Sequence, residues 1–278
     1  MPSTSIHGCS IRYEILGDGE SIVLTPGGRQ GLESVMPLAK HLAKNNRVIV
    51  WDRSNLGCSD VEFKSSSDVE LWCDQLFELL DLLNAKPAYL IAASSGARIS
   101  LRFALRHPEA VRGLFLWLLT GGPVAKVIAQ MYYGESAQVA QQSGMSAVAQ
   151  IPFWLERIQM NPANECRLLR QDPLVFASIM RSWASQMRED DLLVSMSEND
   201  LRQIKSKTCI VAGSDDYGHL RDRVEKVVAA LPFSVLIDPP GFRDEWLTIK
   251  KDAQTGTGYE LIPQLPDLIS HFILNGYH

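Results

Sequence analysis

The sequence predicts an α/β fold, a mostly parallel sheet covered by helices on both faces. Three observations lead there. Strand-like runs alternate with helical stretches along most of the chain. The strand runs are continuously apolar rather than alternating, as expected of strands buried on both faces. One long interruption, from about Pro123 to Ile204, lacks a convincing strand and reads as a helical insertion over the sheet. The chain has 278 residues, 46% of them hydrophobic, which suits one large domain or a domain with an inserted lobe.

The elements follow in order. "SIRYEILGDGESIVLTPGG" alternates, turns at Gly17-Asp18-Gly19 and then runs apolar through Ile22, Val23 and Leu24, the pattern of a hairpin. A helix is predicted over Leu32 to Lys44 and a buried strand over Arg47 to Asp52. "DVELWCDQLFELLDLLNA" spaces its apolar residues by three and four and predicts a helix. "PAYLIAA" is a strand, "SGARISLRFALRHP" a helix stopped before Pro108, and "VRGLFLWLL" a strand. Inside the insertion, "DPLVFASIMRSWASQM" begins with Asp172 as N-cap and Pro173 in the first helical position. Its expected apolar stripe is Val175, Ile179, Trp183 and Met187. "MSAVAQIPFWLERI" offers a second amphipathic helix carrying Trp154. Alternation resumes with "TCIVAG", "LRDRVEKVVAAL", "FSVLID" and a last helix, "PDLISHFIL". The division expected is a core of residues 1–122 and 205–278 with a helical cap or lid of residues 123–204.

Composition narrows the function. A formal net charge of -5 argues against a dedicated binder of nucleic acid or anionic membrane. The five cysteines are scattered without a CxxC pair, which points to reduced thiols and a cytoplasmic location. No apolar run reaches the ~18 residues that span a bilayer, and the N-terminus lacks a signal pattern. Without a P-loop, a GxGxxG after the first strand or clustered metal ligands, no cofactor or metal is expected. The expected partner is a small-molecule substrate. Oligomeric state is left open, with a homodimer admitted.

"YLIAASSGARISL" carries the chemistry. A strand that passes directly into a helix needs a tight turn, and the small residues Ala92, Gly96 and Ala97 remove collisions beside it. Ser94, at the apex, is expected in a strained conformation with its hydroxyl above the sheet. The Ser95 amide then lies at a helix N-terminus, where an oxyanion is stabilised. Here the chain resembles the α/β-hydrolase superfamily, whose nucleophile elbow is G-x-S-x-G; Ala92 stands for the first glycine. The resemblance implies an eight-stranded, mostly parallel sheet. It extends to "LTPGGRQG", where it makes Gly28 the second oxyanion-hole donor and puts Arg29 beside the substrate, with Pro26 where the family usually has histidine. "WDRSNLGCSD" resembles the family's D-x-R-G-x-G-x-S segment, whose Asp52, Arg53, Gly57 and Ser59 are implied to be structural. "CIVAGSDDYGHL" resembles its acid strand and places the triad acid at Asp216, with Asp215 as the neighbouring alternative.

One part of the pattern fails. The family's histidine belongs in the loop after the last strand, and that loop reads "FSVLIDPPGFRDEWLTI", with Phe242 after Gly241. No histidine stands between His219 and His271. A serine hydroxyl is a poor nucleophile without a base, and loss of one triad member leaves only ~10³–10⁴-fold catalysis. His219, three residues after Asp216, is the candidate substitute. Asp244 and Glu245 would need raised pKa values to serve.

Two functions therefore compete. The first is hydrolysis of an ester, lactone or similar activated acyl bond through Ser94, Asp216 and His219. Gly28 and Ser95 would form the oxyanion hole, and Arg29, Trp154, Trp183 and Phe242 would contact a small, largely apolar substrate. Tyr132, Tyr133 and Phe176 would complete an aromatic chamber. The alternative is a non-hydrolytic protein on the same fold, a lyase, isomerase, cyclase or ligand-binding pseudoenzyme.

Overall fold

The computed structural model describes residues 2–212, 218–241 and 264–276. Eight strands form one sheet: β1 (Ser3–Ile6), β2 (Cys9–Leu16), β3 (Glu20–Thr25), β4 (Asn46–Trp51), β5 (Ala88–Ala93), β6 (Val111–Trp117), β7 (Thr208–Val211) and β8 (Ser234–Ile237), in the order β1-β2-β4-β3-β5-β6-β7-β8. The pairs β1–β2 and β2–β4 are antiparallel, and the rest are parallel. Side chains alternate across the sheet, so each apolar strand feeds two cores. Ile22, Leu24, Val48, Val50, Ile91 and Phe115 face one layer, with α1 (Met36–Leu42) and α11 (Leu265–Asn275). Val23, Ile49, Leu90, Ala92, Leu114 and Leu116 face the other, with α2 (Asp68–Leu82) and α3 (Ser95–Arg106). This double burial is why the strand runs read as unbroken apolar stretches.

Between β6 and β7 the chain forms α4 (Val124–Ala129), a π-helical turn at Gln130–Gly134, α5 (Glu135–Val148), α6 (Pro152–Met160), α7 (Ala163–Leu169), α8 (Pro173–Ser185) and α9 (Glu198–Arg202). Asp172 caps α8 as expected, its side chain accepting from the Leu174 and Val175 amides. Two expectations need correction. Of the expected stripe Trp183 and Met187 are buried, but Val175 points outward at 56% exposure, and Phe176 and Met180 take the core side of α8. The segment 145–158 is two helices, because Pro152 has no amide for a continuing helix and instead starts α6 at its first turn. The helix α10 (Arg221–Ala230) and β8 complete the alternation. Among the described residues no helix is long and apolar enough to cross a membrane.

The thiols sort by burial. Burial pushes Cys9 up to about 11 and Cys209 up to about 12, and raises Cys73 as well. Cys166 is exposed and Cys58 half-buried. The native protein should therefore react rapidly with Ellman's reagent only at Cys166 and Cys58, and at all five cysteines once denatured. Fast reaction of a third thiol in the native state would contradict this packing.

Candidate active site

The sheet order creates the site. Strand β3 lies between β4 and β5, so the connections leaving β3 and β5 diverge to opposite sides. Ligands in open α/β sheets bind in the crevice at the carboxyl ends of such strands. Thr25 and Ala92 are register partners at these ends, which brings the loop after β3 against the turn after β5.

That turn has the expected strain. Ser94 adopts φ 50°, ψ −117° and connects β5 directly to α3, a conformation rarely adopted by residues with a side chain. Its amide donates to the Trp117 carbonyl at 3.1 Å and its carbonyl accepts from the Arg98 amide at 3.2 Å. These two bonds tie the bend to β6 and α3. Gly96 then allows a close approach: a Cβ there would lie 2.6 Å from the Thr25 carbonyl oxygen and 2.8 Å from that of Pro26. Both obstacles are backbone, so Gly96→Ala should force the loop and helix apart. We expect a loss of about 2 kcal/mol in urea unfolding. A variant as stable as the parent would show that the approach is looser than this geometry.

The loop after β3 meets the elbow through Gly28. Gly28 has φ +51°, and its carbonyl accepts from Ser95 Oγ at 2.8 Å and from Arg53 Nη2 at 3.3 Å. Among the described residues, neither the Gly28 amide nor the Ser95 amide donates to a protein group. Both are donors at the mouth of the crevice.

Two chambers open here. One is lined by Ser94, Ser95, Arg98, Thr120, Ile128, Tyr132, Met187 and Val194. The second includes Gly28, Arg29, Asp68, Phe153, Trp154 and Trp183 in its wall, together with Ser95 and Tyr132 again. Tyr132 thus lies between the two. It belongs to the π-helical turn, a feature found often at functional sites, and its carbonyl accepts from Arg29 Nη2. The Arg29 guanidinium lies 3.7 Å from the Phe153 ring centroid and 4.4 Å from that of Tyr132. Burial pulls its pKa down.

Neighbouring charge is balanced differently at Arg98. Its Nη2 donates to Asp68 Oδ2 at 2.8 Å, its Nη1 to Ser195 Oγ at 3.3 Å, and Tyr133 Oη donates to the same Asp68 oxygen. Burial works to lower the Arg98 pKa, but Asp68 and Tyr133 outweigh it and the net direction is up. Burial, reinforced by Asp68, holds the Tyr133 phenol well above its usual range.

The structure brings together Ser94, Ser95, Gly28 and Arg29. It also places Trp154 and Trp183 in the second chamber's wall, although both are almost fully buried and bonded elsewhere, to Ser136 Oγ and the Ser65 carbonyl. Phe176 packs in the aromatic core among Phe63 and Trp154. His219 is half-buried on the segment entering α10 and is not among the described residues lining either chamber. Asp215, Asp216, Phe242, Asp244 and Glu245 lie outside the described residues. Residues not anticipated are Thr120, whose Oγ1 is 3.2 Å from Ser94 Oγ, and the Arg98–Asp68–Tyr133 cluster. Thr120 could have been found from its place just past β6, the strand beside β5. A hydroxyl so placed orients Ser94 but is no base.

Sheet order, elbow and loop define an α/β-hydrolase-fold protein. Residues 20–126 match the sequence model of the alpha/beta hydrolase fold family. The chain is 27% identical over 243 residues to a 2-hydroxy-6-oxo-2,4-heptadienoate hydrolase of Pseudomonas putida, covering 84% of this chain and 83% of that one. It is 30% identical over 138 residues to the uncharacterized hydrolase YraK of Bacillus subtilis, where the match covers 49% of this chain and spans about half, 48%, of that relative. The crystal structure of MGS-M2, an alpha/beta hydrolase enzyme from a Medee basin deep-sea metagenome library, superposes with a TM-score of 0.67. It is 18% identical, covering 98% of this chain and 97% of that chain, a likeness of fold. The chain has the α/β-hydrolase fold.

Proposed function

We propose that the protein is a serine hydrolase that cleaves an ester, lactone or similar activated acyl bond of a small, largely apolar molecule. The observation that carries this reading is the Ser94 main chain, held at φ 50° and ψ −117° so that the residue lines a chamber at the sheet's crevice. Ser94 attacks the acyl carbon, and the Gly28 and Ser95 amides take up the oxyanion. Asp216 and His219 form the proton relay in this reading. Residues 123–204 act as a cap over the core of residues 1–122 and 205–278, and their aromatic residues with Arg29 receive the substrate. The names of relatives, among them the heptadienoate hydrolase, support a hydrolytic chemistry.

A second reading has its own support, because Phe242 stands where the superfamily's histidine is expected. There the elbow and amides bind a carbonyl or enolate without covalent attack, and the protein is a lyase, isomerase, cyclase or binding protein. A fluorophosphonate probe separates the two. Under the first reading the folded protein labels covalently and Ser94→Ala does not, with p-nitrophenyl ester turnover lost in parallel. A folded protein that fails to label decides for the second.

A further inference from the structure

Arg53 belongs to a segment that resemblance treats as structural, yet its surroundings are unusual for an arginine. Its side chain is fully buried, at 0% exposure. Among the described residues no carboxylate lies within ion-pair distance of it, and its Nε has no hydrogen-bond partner. The other buried arginines nearby are compensated: Arg12 reaches Glu33, Glu14 and Asp52, and Arg98 reaches Asp68. Burial, with Arg98 nearby, pulls the Arg53 pKa down to about 10, which leaves the group charged at neutral pH.

Its partners are the residues of the oxyanion hole. Nη1 donates to Ser95 Oγ at 3.2 Å, and Nη2 donates to the Gly28 carbonyl at 3.3 Å and the Gln30 carbonyl at 3.5 Å. Ser95 Oγ in turn donates to the Gly28 carbonyl at 2.8 Å, so guanidinium, hydroxyl and carbonyl close a triangle. The Trp72 ring, 5.0 Å from the guanidinium carbon, flanks it.

Resting on the serine-hydrolase reading, we infer that Arg53 is the positioning residue of the oxyanion hole, its one guanidinium fixing both Gly28 and Ser95. A rigid fork can span two acceptors in a set geometry, which an ammonium cannot. The fork pins the Gly28 peptide, with its positive φ, against the elbow. The charge, with Asp68 and Asp52 only at longer range, also acts. In a low-dielectric interior it interacts weakly with a neutral carbonyl and strongly with the oxyanion that forms on attack. Arg53 therefore favours the transition state over bound substrate without touching either.

The test is labelling of the full chain by a fluorophosphonate, with kcat and KM on a p-nitrophenyl ester. Arg53→Met is expected to lower the labelling rate constant and kcat by about 10- to 100-fold. KM should move by less than about threefold, a split that loss of packing alone does not produce. Arg53→Lys, which keeps charge but loses the fork, should recover part of the rate. If Arg53→Met does not fold, Arg53→Lys and Ser95→Ala decide, since each removes one side of the triangle and should slow labelling while the thermal midpoint holds. Folded variants that label at the parent rate overturn the assignment alone. A parent protein that never labels overturns it together with the hydrolase reading.

Discussion

Ser94→Gly is expected to be more stable than the parent protein and inactive. The serine sits at φ 50°, where a side chain costs about 1–3 kcal/mol and glycine costs almost nothing. Against this relief stand the greater flexibility of glycine in the unfolded chain, about 0.4–1 kcal/mol, and the lost hydroxyl contact with Thr120, about 0.5–1.5 kcal/mol. The balance is a gain of about 1 kcal/mol at the upper part of the strain range, or roughly 2–4 °C in thermal midpoint for a chain of this size. Fluorophosphonate labelling should vanish, and the ester turnover that runs through Ser94 should be lost with it. Ser94→Ala separates the two effects, because alanine retains the Cβ strain while removing the hydroxyl. It should be equally inactive but not stabilised. A glycine variant less stable than the alanine variant would mean that the bend stores no strain.

The elbow was legible in the sequence because its physics is local. A strand-to-helix turn needs small residues within a few positions, and Ala92, Gly96 and Ala97 announce it. Strand burial was legible for a similar reason, since a run such as Leu90-Ile91-Ala92 is apolar at both phases of the pleat. The geometry of the helices inserted between β6 and β7 was less so. On α8 the residues Val175 and Phe176 are adjacent in sequence, and either could begin an apolar stripe; only packing against Phe63 and Trp154 selects Phe176. The charged cluster was hidden by distance along the chain. Asp68, Arg98 and Tyr133 are 30 and 65 residues apart in their bonded pairs, and no local pattern records that they meet. The same holds for Arg53, whose role depends on Gly28 and Ser95, 25 and 42 residues away.

Phe242→His is expected to raise ester hydrolysis by about 10²-fold or more, the range that a positioned general base supplies. Phe242 lies outside the described residues, and the expectation rests on the chain order of elbow, acid strand and last-strand loop. The parent protein holds a candidate nucleophile beside two amides that donate to no protein group among the described residues, and its sequence lacks an imidazole where the superfamily supplies one. A phenyl ring can neither take the proton from Ser94 nor pass it to a leaving group; an imidazole can do both. The gain should carry its own signature in pH. The base is the neutral imidazole, so the added activity should be absent at low pH, rise through about 6.5 and then level off. Phe242→Ala controls for the removal of bulk and should lack both the gain and the titration. In the double variant with Ser94→Ala the gain should disappear, because the new base acts only through the serine. If kcat/KM is unchanged and no titration appears near that pH, position 242 does not face Ser94, and the proton relay must be sought elsewhere in the chain.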